Sequence, residues 1–468
     1  METDLIKQKQ HFKQDQHLVL RKNDSAQINV SFESSGESIL RIKNQHQKLE
    51  RVVVIGAGYV GFPLACALAS SKKYNVTVYD IDTSKIDKIR NKISPVEDER
   101  AKEDIKKFKI TGTTDESVLS EADYIIVCVP TPVNDDKTPD LTPVIKATES
   151  IARNLRLGQT IILESTVNPG VCEETVLPIL EKTGLRGGIN FELAHCPERI
   201  NPGDKNWNVY NISRNIGALT LEGANRIAEF YSSFLNAEVN VVSSIKAAEA
   251  TKIIENTFRD VNIALINEFA QFCDKIGIDV LEVIKGASNK PFAFMPHFPG
   301  CGVGGHCIPV DPYYLIQKAA ELGFDHKLVR TAREVNSSMP KYTISKLING
   351  IQMTGKSLKD VKIGILGLAY KSDSEDLRES PALEIRDELL KLGADVLYYD
   401  PYIKEDSNAD LDTLLDECYG IIVATGHTAF KQIKDWKNVK VLVDGRNCLS
   451  REDFELSEIY YYGIGRGE

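Results

Sequence analysis

Two doubly wound α/β domains joined by a long central helix are the architecture this 468-residue sequence predicts. Three observations carry that prediction. Short strands apolar on both faces alternate with helical stretches, the pattern of a buried parallel sheet. A glycine turn links the first of these strands to an Ala-rich helix. The same strand plan then returns in the C-terminal third, as a weak internal repeat.

The first strand and turn are Arg51-Val-Val-Val-Ile-Gly-Ala-Gly-Tyr-Val-Gly61, followed by a helix over Phe62–Ser70. Further strands are predicted at Asn75–Asp80, Ala122–Pro130 and Gln159–Glu164. The later set comprises Val361–Gly367, Ala394–Asp400, Tyr419–Thr425 and Val439–Asp444, and in both sets the second strand ends in Asp. Between the sets, about Ala247–Ile276 runs without Gly or Pro, with Ile253, Ile254, Phe258, Val261, Leu265, Phe269 and Phe272 at helical spacing. Such a helix suits a subunit or domain interface, and a buried core helix would look much the same.

The chain divides on this reading into a polar extension (residues 1–50), a dinucleotide-binding domain (51–240), a central helical domain (241–345) and a second Rossmann-like domain (346–468). The extension is rich in Gln, Lys, Asn and Ser and reads as disordered or loosely attached. Ile28–Phe32 and Ile39–Ile42 could pair there as strands.

Composition narrows the function. The 42% hydrophobic and 26% charged content is that of a soluble globular protein. No apolar run approaches the roughly 20 residues that span a bilayer, and the polar start lacks a signal-peptide core. A cytoplasmic protein without membrane contact is the expectation. The formal charge of −10 argues against a nucleic-acid partner. Nine cysteines without a CxxC pair suggest neither a zinc site nor a disulfide framework, so no metal is expected.

Gly56-Ala-Gly58-Tyr59-Val60-Gly61 matches GxGxxG in its proper setting, after a strand and opening a helix. Glycines there allow the tight turn, the approach of a pyrophosphate, and close helix–strand packing. The helix N-terminus offers free N–H groups to phosphates. Asp80 ends the second strand, where a carboxylate accepts hydrogen bonds from the adenosine ribose and repels a 2′-phosphate. NAD is therefore the expected cofactor. The C-terminal repeat lacks the full glycine pattern. It offers Lys371 and Arg378 as anion contacts, with Ser380 and Pro381 as helix N-cap and first helical residue.

The loop Phe298-Pro-Gly-Cys-Gly-Val-Gly-Gly-His-Cys-Ile-Pro-Val-Asp-Pro312 holds four glycines between Gly300 and Gly305. Close backbone approach to a ligand would explain that entropic cost. Cys307 follows directly, with His306 adjacent and Asp311 four residues on. In isolation this is a structural turn with a free thiol. The central helix changes its meaning: Lys252, Asn256 and Arg259 lie at i, i+4 and i+7, which places a cation, an amide and a guanidinium on one face. Lys252 and Asn256 could hold an oxyanion, and Arg259 a carboxylate or phosphate. Two loops, Glu164-Ser-Thr166 and His195-Cys-Pro-Glu198-Arg199, add further polar groups.

Together these segments resemble the UDP-glucose/UDP-N-acetylhexosamine 6-dehydrogenase family over about residues 51–465. The resemblance rests on the glycine turn, Val-Pro-Thr131-Pro, Glu-Ser-Thr166, Cys-Pro-Glu198-Arg199, Glu249-Ala-Thr-Lys252-Ile-Ile-Glu-Asn256, the Cys307 loop, and Tyr370-Lys371 with Arg378. It implies a four-electron oxidation of a sugar C6 alcohol to a carboxylate with two NAD. Cys307 would form a thiohemiacetal and then a thioester, in polysaccharide or glycoconjugate synthesis. Lys252 would be the acid/base or oxyanion group, Asn256 a second oxyanion donor, Asp311 a partner for the general base, and Glu198 a candidate for activating or holding the hydrolytic water. Thr166 would serve both chemistry and cofactor. Tyr59, Val60, Asp80, Lys85, Thr131, Thr166 and Arg378 would contact NAD. Arg199, Ile200, Arg259, Gly304, Tyr370 and Lys371 would contact the UDP-sugar. A homodimer or higher assembly through the central helix is implied as well.

The form Gly-Gly-His306-Cys-Ile-Pro-Val310-Asp, with Pro202 where UDP-glucose enzymes usually carry a second acid, resembles the N-acetylhexosamine branch. Pro291 and Ala293 stand near where mannosamine enzymes place His and Arg, which tilts the expectation to the glucosamine or galactosamine epimer. UDP-glucose oxidation is the near alternative. More remote are a two-electron β-hydroxyacid-type dehydrogenase and a non-catalytic NAD-binding regulator.

Overall fold

The computed structural model describes residues 49–134, 137–200 and 206–467; the two strands expected in the extension, and all of it but Leu49 and Glu50, lie outside them. Among the described residues thirteen strands build two sheets. The first contains β1 (Glu50–Ile55), β2 (Tyr74–Tyr79), β3 (Thr111–Thr113), β4 (Tyr124–Val127), β5 (Thr160–Leu163), β6 (Glu192–His195), β7 (Arg214–Ala218) and β8 (Val239–Val241). Their order is β3-β2-β1-β4-β5-β6-β7-β8, parallel except where β7 meets β6. The second contains β9 (Lys362–Leu366), β10 (Asp395–Tyr399), β11 (Gly420–Val423), β12 (Val441–Asp444) and β13 (Tyr460–Gly463), all parallel, in the order β10-β9-β11-β12-β13.

The repeat read from the sequence is therefore one of motif and not of topology. The first six strands run 3-2-1-4-5-6, the dinucleotide-binding order, whereas the second sheet runs 2-1-3-4-5, as flavodoxin-like sheets do. Both bury two faces. On β1, Val52 and Val54 enter one apolar cluster with Phe62, Leu64 and Leu68, while Val53 and Ile55 enter another with Ile125, Leu163 and Ile151. That two-sided burial follows from the period of two along a strand and explains the continuous apolar runs.

The central helix spans Ile245–Ile276, about 48 Å at 1.5 Å per residue. The Ser244 side chain accepts from Ala247 N at its start, and Gly277 ends it in the left-handed region at φ 69°. A second long helix, Lys327–Met353, packs along it although Pro340 lies inside. Buried polar contacts set their register: Arg333 Nη1 to Asp260 Oδ1 at 2.6 Å, and Asn267 Nδ2 to Asn336 Oδ1 at 2.9 Å. No helix among the described residues is long and apolar enough to cross a membrane.

Candidate active site

The glycine turn assigns each glycine a separate job. A Cβ on Gly56 would stand 2.4 Å from the Cys128 carbonyl oxygen, and one on Gly61 would stand 2.1 Å from the Gly56 oxygen. A Cβ on Gly58 would meet no protein atom within 4 Å, so only a ligand needs that space. The helix that follows, Gly61–Ser70, has no side-chain cap, which leaves its N-terminus to an anion. Asp80 Oδ2 accepts from Ala57 N at 2.7 Å, so this carboxylate, expected at the ribose, also braces the turn. Lys85 Nζ lies 3.9 Å from Asp80 Oδ2, and the Tyr59 side chain is 40% exposed. These residues fit the adenosine and pyrophosphate of NAD.

Thr131 and Thr166 leave the C-terminal ends of β4 and β5, on the same edge of the sheet. The Thr131 carbonyl accepts the Tyr314 hydroxyl at 2.7 Å, and Ser165 Oγ donates to Val129 O at 2.8 Å. Glu249 holds the next stretch of this loop from the central helix, accepting from Gly170 N at 2.5 Å and Cys172 N at 2.8 Å. Burial raises its carboxyl to about 7 against those two hydrogen bonds. Glu249, Cys172 and His195 place donor atoms within 4.8 Å of one another, which the sequence did not show. With the Glu249 oxygens already taken by backbone N–H groups, we read this as packed polar core. His195, read as part of the loop that runs to Arg199, instead ends β6 fully buried, and desolvation lowers its imidazole to about 3.

The cysteine loop closes over the central helix. The Cys307 carbonyl accepts from Val310 N at 3.2 Å and Asp311 N at 2.8 Å, a turn that seats Asp311 at the start of helix Asp311–Glu321. Asp311, Lys252 and Asn256 are all buried. Desolvation raises the Cys307 thiol to about 11, with Asp311 adding to the shift and Lys252, Arg378 and Arg259 opposing it. Burial likewise lifts Asp311 to about 6, against the Asn256 hydrogen bond and the Lys252 charge. Desolvation, helped by Arg378, lowers His306 to about 4, so its ring is neutral at pH 7. The other eight cysteines, Cys301 of the same loop included, are buried or half-buried thiols, and none is bridged.

Several expected contacts are made to the protein itself. The Asn256 amide, expected at an oxyanion, donates to Asp311 Oδ2 at 2.5 Å. Arg199, expected on the sugar, forks Glu255 at 2.5 and 3.0 Å and reaches Ser213. Ile200 packs its side chain on the first sheet's core, and its N–H donates to Glu198. Arg378 forks Asp376. Glu198 accepts from Arg199 N and Ile200 N and lies 2.7 Å from Arg214, which leaves it tied down from three sides. The glycines before Cys307 also face protein: a Cβ on Gly304 would stand 2.5 Å from Tyr370 Cβ, and Gly305, at φ 89°, lies under the Tyr370 ring. Gly305 N donates to Arg378 O at 3.0 Å, so the loop carrying Tyr370 and Lys371 is bound directly to the cysteine loop.

Arg214 is the residue the sequence reading missed most clearly. Fully buried, it bridges Glu198 and Glu164, and Tyr231 donates to Glu164. Burial outweighs the Arg214 charge and raises the Glu164 carboxyl above its ordinary value. Nothing in Ser213-Arg214-Asn215 marks that arginine, because its partners lie 50 and 16 residues away.

A sheet in dinucleotide-binding order, an open glycine turn with its acid, and polar side chains gathered at the C-terminal strand edge define a nicotinamide-dependent oxidoreductase. The chain belongs to the UDP-glucose/GDP-mannose dehydrogenase family. It matches that family's NAD binding domain over residues 50–235, its central domain over 246–338 and its UDP binding domain over 364–451. A UDP-N-acetyl-D-glucosamine 6-dehydrogenase of Pseudomonas aeruginosa is 39% identical over 87% of this chain and 97% of its own. The solved UDP-D-ManNAc dehydrogenase of Pyrococcus horikoshii superposes with a TM-score of 0.83 at 35% identity, over 89% of this chain and 99% of that one. An NDP-N-acetyl-D-galactosaminuronic acid dehydrogenase of Methanosarcina mazei Go1 gives 0.79 at 32% identity, over 90% and 96%. The protein is thus an NAD-dependent dehydrogenase with a UDP-sugar-binding domain.

Proposed function

We propose that this enzyme oxidises the C6 alcohol of a UDP-N-acetylhexosamine to the uronic acid, with the intermediate carried on Cys307. The observation that supports it best is a desolvated thiol set among Lys252, Arg259 and Arg378, with Asp311 beside it. The similar proteins are named for UDP-N-acetyl-D-glucosamine, UDP-D-ManNAc and NDP-N-acetyl-D-galactosaminuronic acid, which supports the N-acetylhexosamine class and leaves the epimer to assay.

NAD, when bound, accepts hydride. The chain's own residues do the rest. Lys252 stabilises negative charge at the reacting C6 oxygen, in a site where desolvation strengthens the interaction. The Cys307 thiol is protonated at rest, so it gives up its proton as the S–C bond to the aldehyde forms. We assign Asp311, a buried carboxylate whose charge acts on the Cys307 thiol, as the acceptor of that proton. The free-energy gap between a thiol at about 11 and a carboxyl at about 6 is roughly 7 kcal/mol. The three cations and the concerted bond formation reduce it. The thiohemiacetal is oxidised to a thioester, and water releases the acid. In sum, one alcohol, one water and two NAD+ give one carboxylate, two NADH and three protons. Glu198, held by Arg214 and two N–H groups, orients polar groups at the hydrolytic step and is not a mobile base.

Two NADH per sugar is the expected stoichiometry, read by absorbance against limiting substrate; one NADH would favour a two-electron dehydrogenase. Cys307→Ser should lower acid formation at least a hundredfold, and undiminished turnover would sink the nucleophile role. We also assign a homodimer built on the central helix, because Ile254, Phe258, Leu265 and Phe272 stand 46–58% exposed along one face. Nine unbridged cysteines support a reducing, cytoplasmic setting.

A further inference from the structure

The two sheets share one local device at the end of their second strand. In the NAD-binding sheet, Gly56 N donates to Tyr79 O and Ala57 N to Asp80 Oδ2; in the UDP-binding sheet, Gly367 N donates to Tyr399 O and Leu368 N to Asp400 Oδ2. The first acid keeps an open side. The second is fully buried, because the His427 ring closes over it, with Nε2 3.0 Å from Asp400 Oδ2. The opposite ring nitrogen, Nδ1, accepts from Asp373 N at 2.9 Å, so Nε2 carries the proton and donates to Asp400. The Asp373 carboxylate accepts from Thr428 N at 2.9 Å and Thr428 Oγ1 at 2.7 Å, while Thr425 donates to Ala369 O. Both ends of Ala369–Asp373 are thereby fixed to the loop after β11.

We propose that His427 is a positioning residue: it fills the place a ribose would take on Asp400 and locks the Tyr370–Lys371 loop for the UDP-sugar and for the cysteine loop. This loop leaves the C-terminal end of β9, where doubly wound sheets bind ligands, within the family's UDP binding domain. Tyr370 covers Gly304 and Gly305, and Arg378 O holds Gly305 N. A shift of the loop is therefore felt at Cys307, two residues on.

The inference rests on the proposed role of the Cys307 site only for its effect on chemistry; its effect on UDP affinity stands apart. His427→Ala should weaken UDP binding, measured by calorimetry, and raise KM for the UDP-sugar tenfold or more, with NAD affinity within twofold of wild type. His427→Asn keeps an acceptor near Nδ1 and His427→Gln a donor near Nε2, so each should recover part of the loss. Unchanged UDP affinity and KM in His427→Ala would overturn the proposal. So would a loss shared equally by NAD and UDP, which marks general scaffold damage. Should the alanine variant not fold, Thr428→Val loosens Asp373 alone and should raise KM for the UDP-sugar two- to fivefold; no change there overturns the proposal too. Failure of Cys307→Ser to stop acid formation leaves UDP affinity untouched and is thus distinguishable.

Discussion

Asp311 shows how one side chain can serve chemistry at the expense of stability. In the folded protein its carboxyl is raised from the ordinary aspartate value to about 6. The folded state therefore holds that proton more tightly than the unfolded chain does. Stability from this group is full below about pH 4 and is lost as pH rises to about 6, a cost approaching 3 kcal/mol at neutral pH. Asp311→Asn removes the cost while keeping an oxygen for the Asn256 amide. Its Tm at pH 7.5 should equal or exceed that of the wild type by a few degrees, and acid formation should fall at least a hundredfold. A clear drop in Tm would show that the charge is stabilising. The wild-type rate should itself decline below about pH 6, as Asp311 takes up a proton and ceases to accept one. At this scale the sequence was a partial guide: residue type and spacing placed Cys307, Lys252 and Asp311 together. The hydrogen bonds that hold Asn256, Arg199 and Glu198 depend on partners distant in the chain, and no local pattern encodes them.

The central helix was legible because 32 residues without Pro or interior Gly leave few other conformations. Its partner, Lys327–Met353, went unread because Pro340 interrupts the pattern that marks a helix. The apolar positions of the central helix also divide in a way periodicity alone does not show. Ile253, Ala264, Ile266 and Ala270 are buried within the chain, whereas Ile254, Phe258, Leu265 and Phe272 face outward, with half-buried Val261 among them. The positions 254, 258, 261, 265 and 272 keep alternating steps of four and three, with Glu268 at the one polar step, the spacing of a coiled-coil seam. In the proposed dimer a second copy of the same helix would supply a matching surface. Each Leu or Phe buried there contributes about 1.5–3 kcal/mol. Leu265→Asp places a charge in the seam of both copies and should weaken the dimer at least a hundredfold, seen as a monomer by light scattering at micromolar concentration. The protomer should keep its Tm within a few degrees, since this position is 58% exposed within the chain. A dimer of unchanged affinity would move the interface elsewhere.

On the scale of the whole molecule, the proposed catalysis brings three parts of one chain together at the cysteine loop. The sequence revealed the two strand sets, since burial on both faces leaves a plain apolar signature. It did not reveal their different strand orders, which depend on which helices cover which face. Nor did it show that the glycines before Cys307 serve the UDP-binding domain; entropic cost alone could not distinguish a protein neighbour from a ligand. The distinction can be tested with two alanines. Gly304 does not sit in the left-handed region, so its backbone accepts a side chain. The added Cβ would stand 2.5 Å from Tyr370 Cβ and 2.9 Å from both Glu379 O and Pro381 Cδ, none of them the far end of a flexible chain. Gly304→Ala should therefore push the loop off the UDP-binding domain at a cost of about 1–3 kcal/mol. Turnover should fall tenfold or more while NAD affinity is kept. Gly58→Ala meets no protein atom, and there the expected result is reversed: an unchanged Tm with NAD affinity weakened at least tenfold. If Gly304→Ala lost NAD affinity and kept its Tm, the loop glycines would be facing cofactor, and the domain contact seen here would not be what they serve.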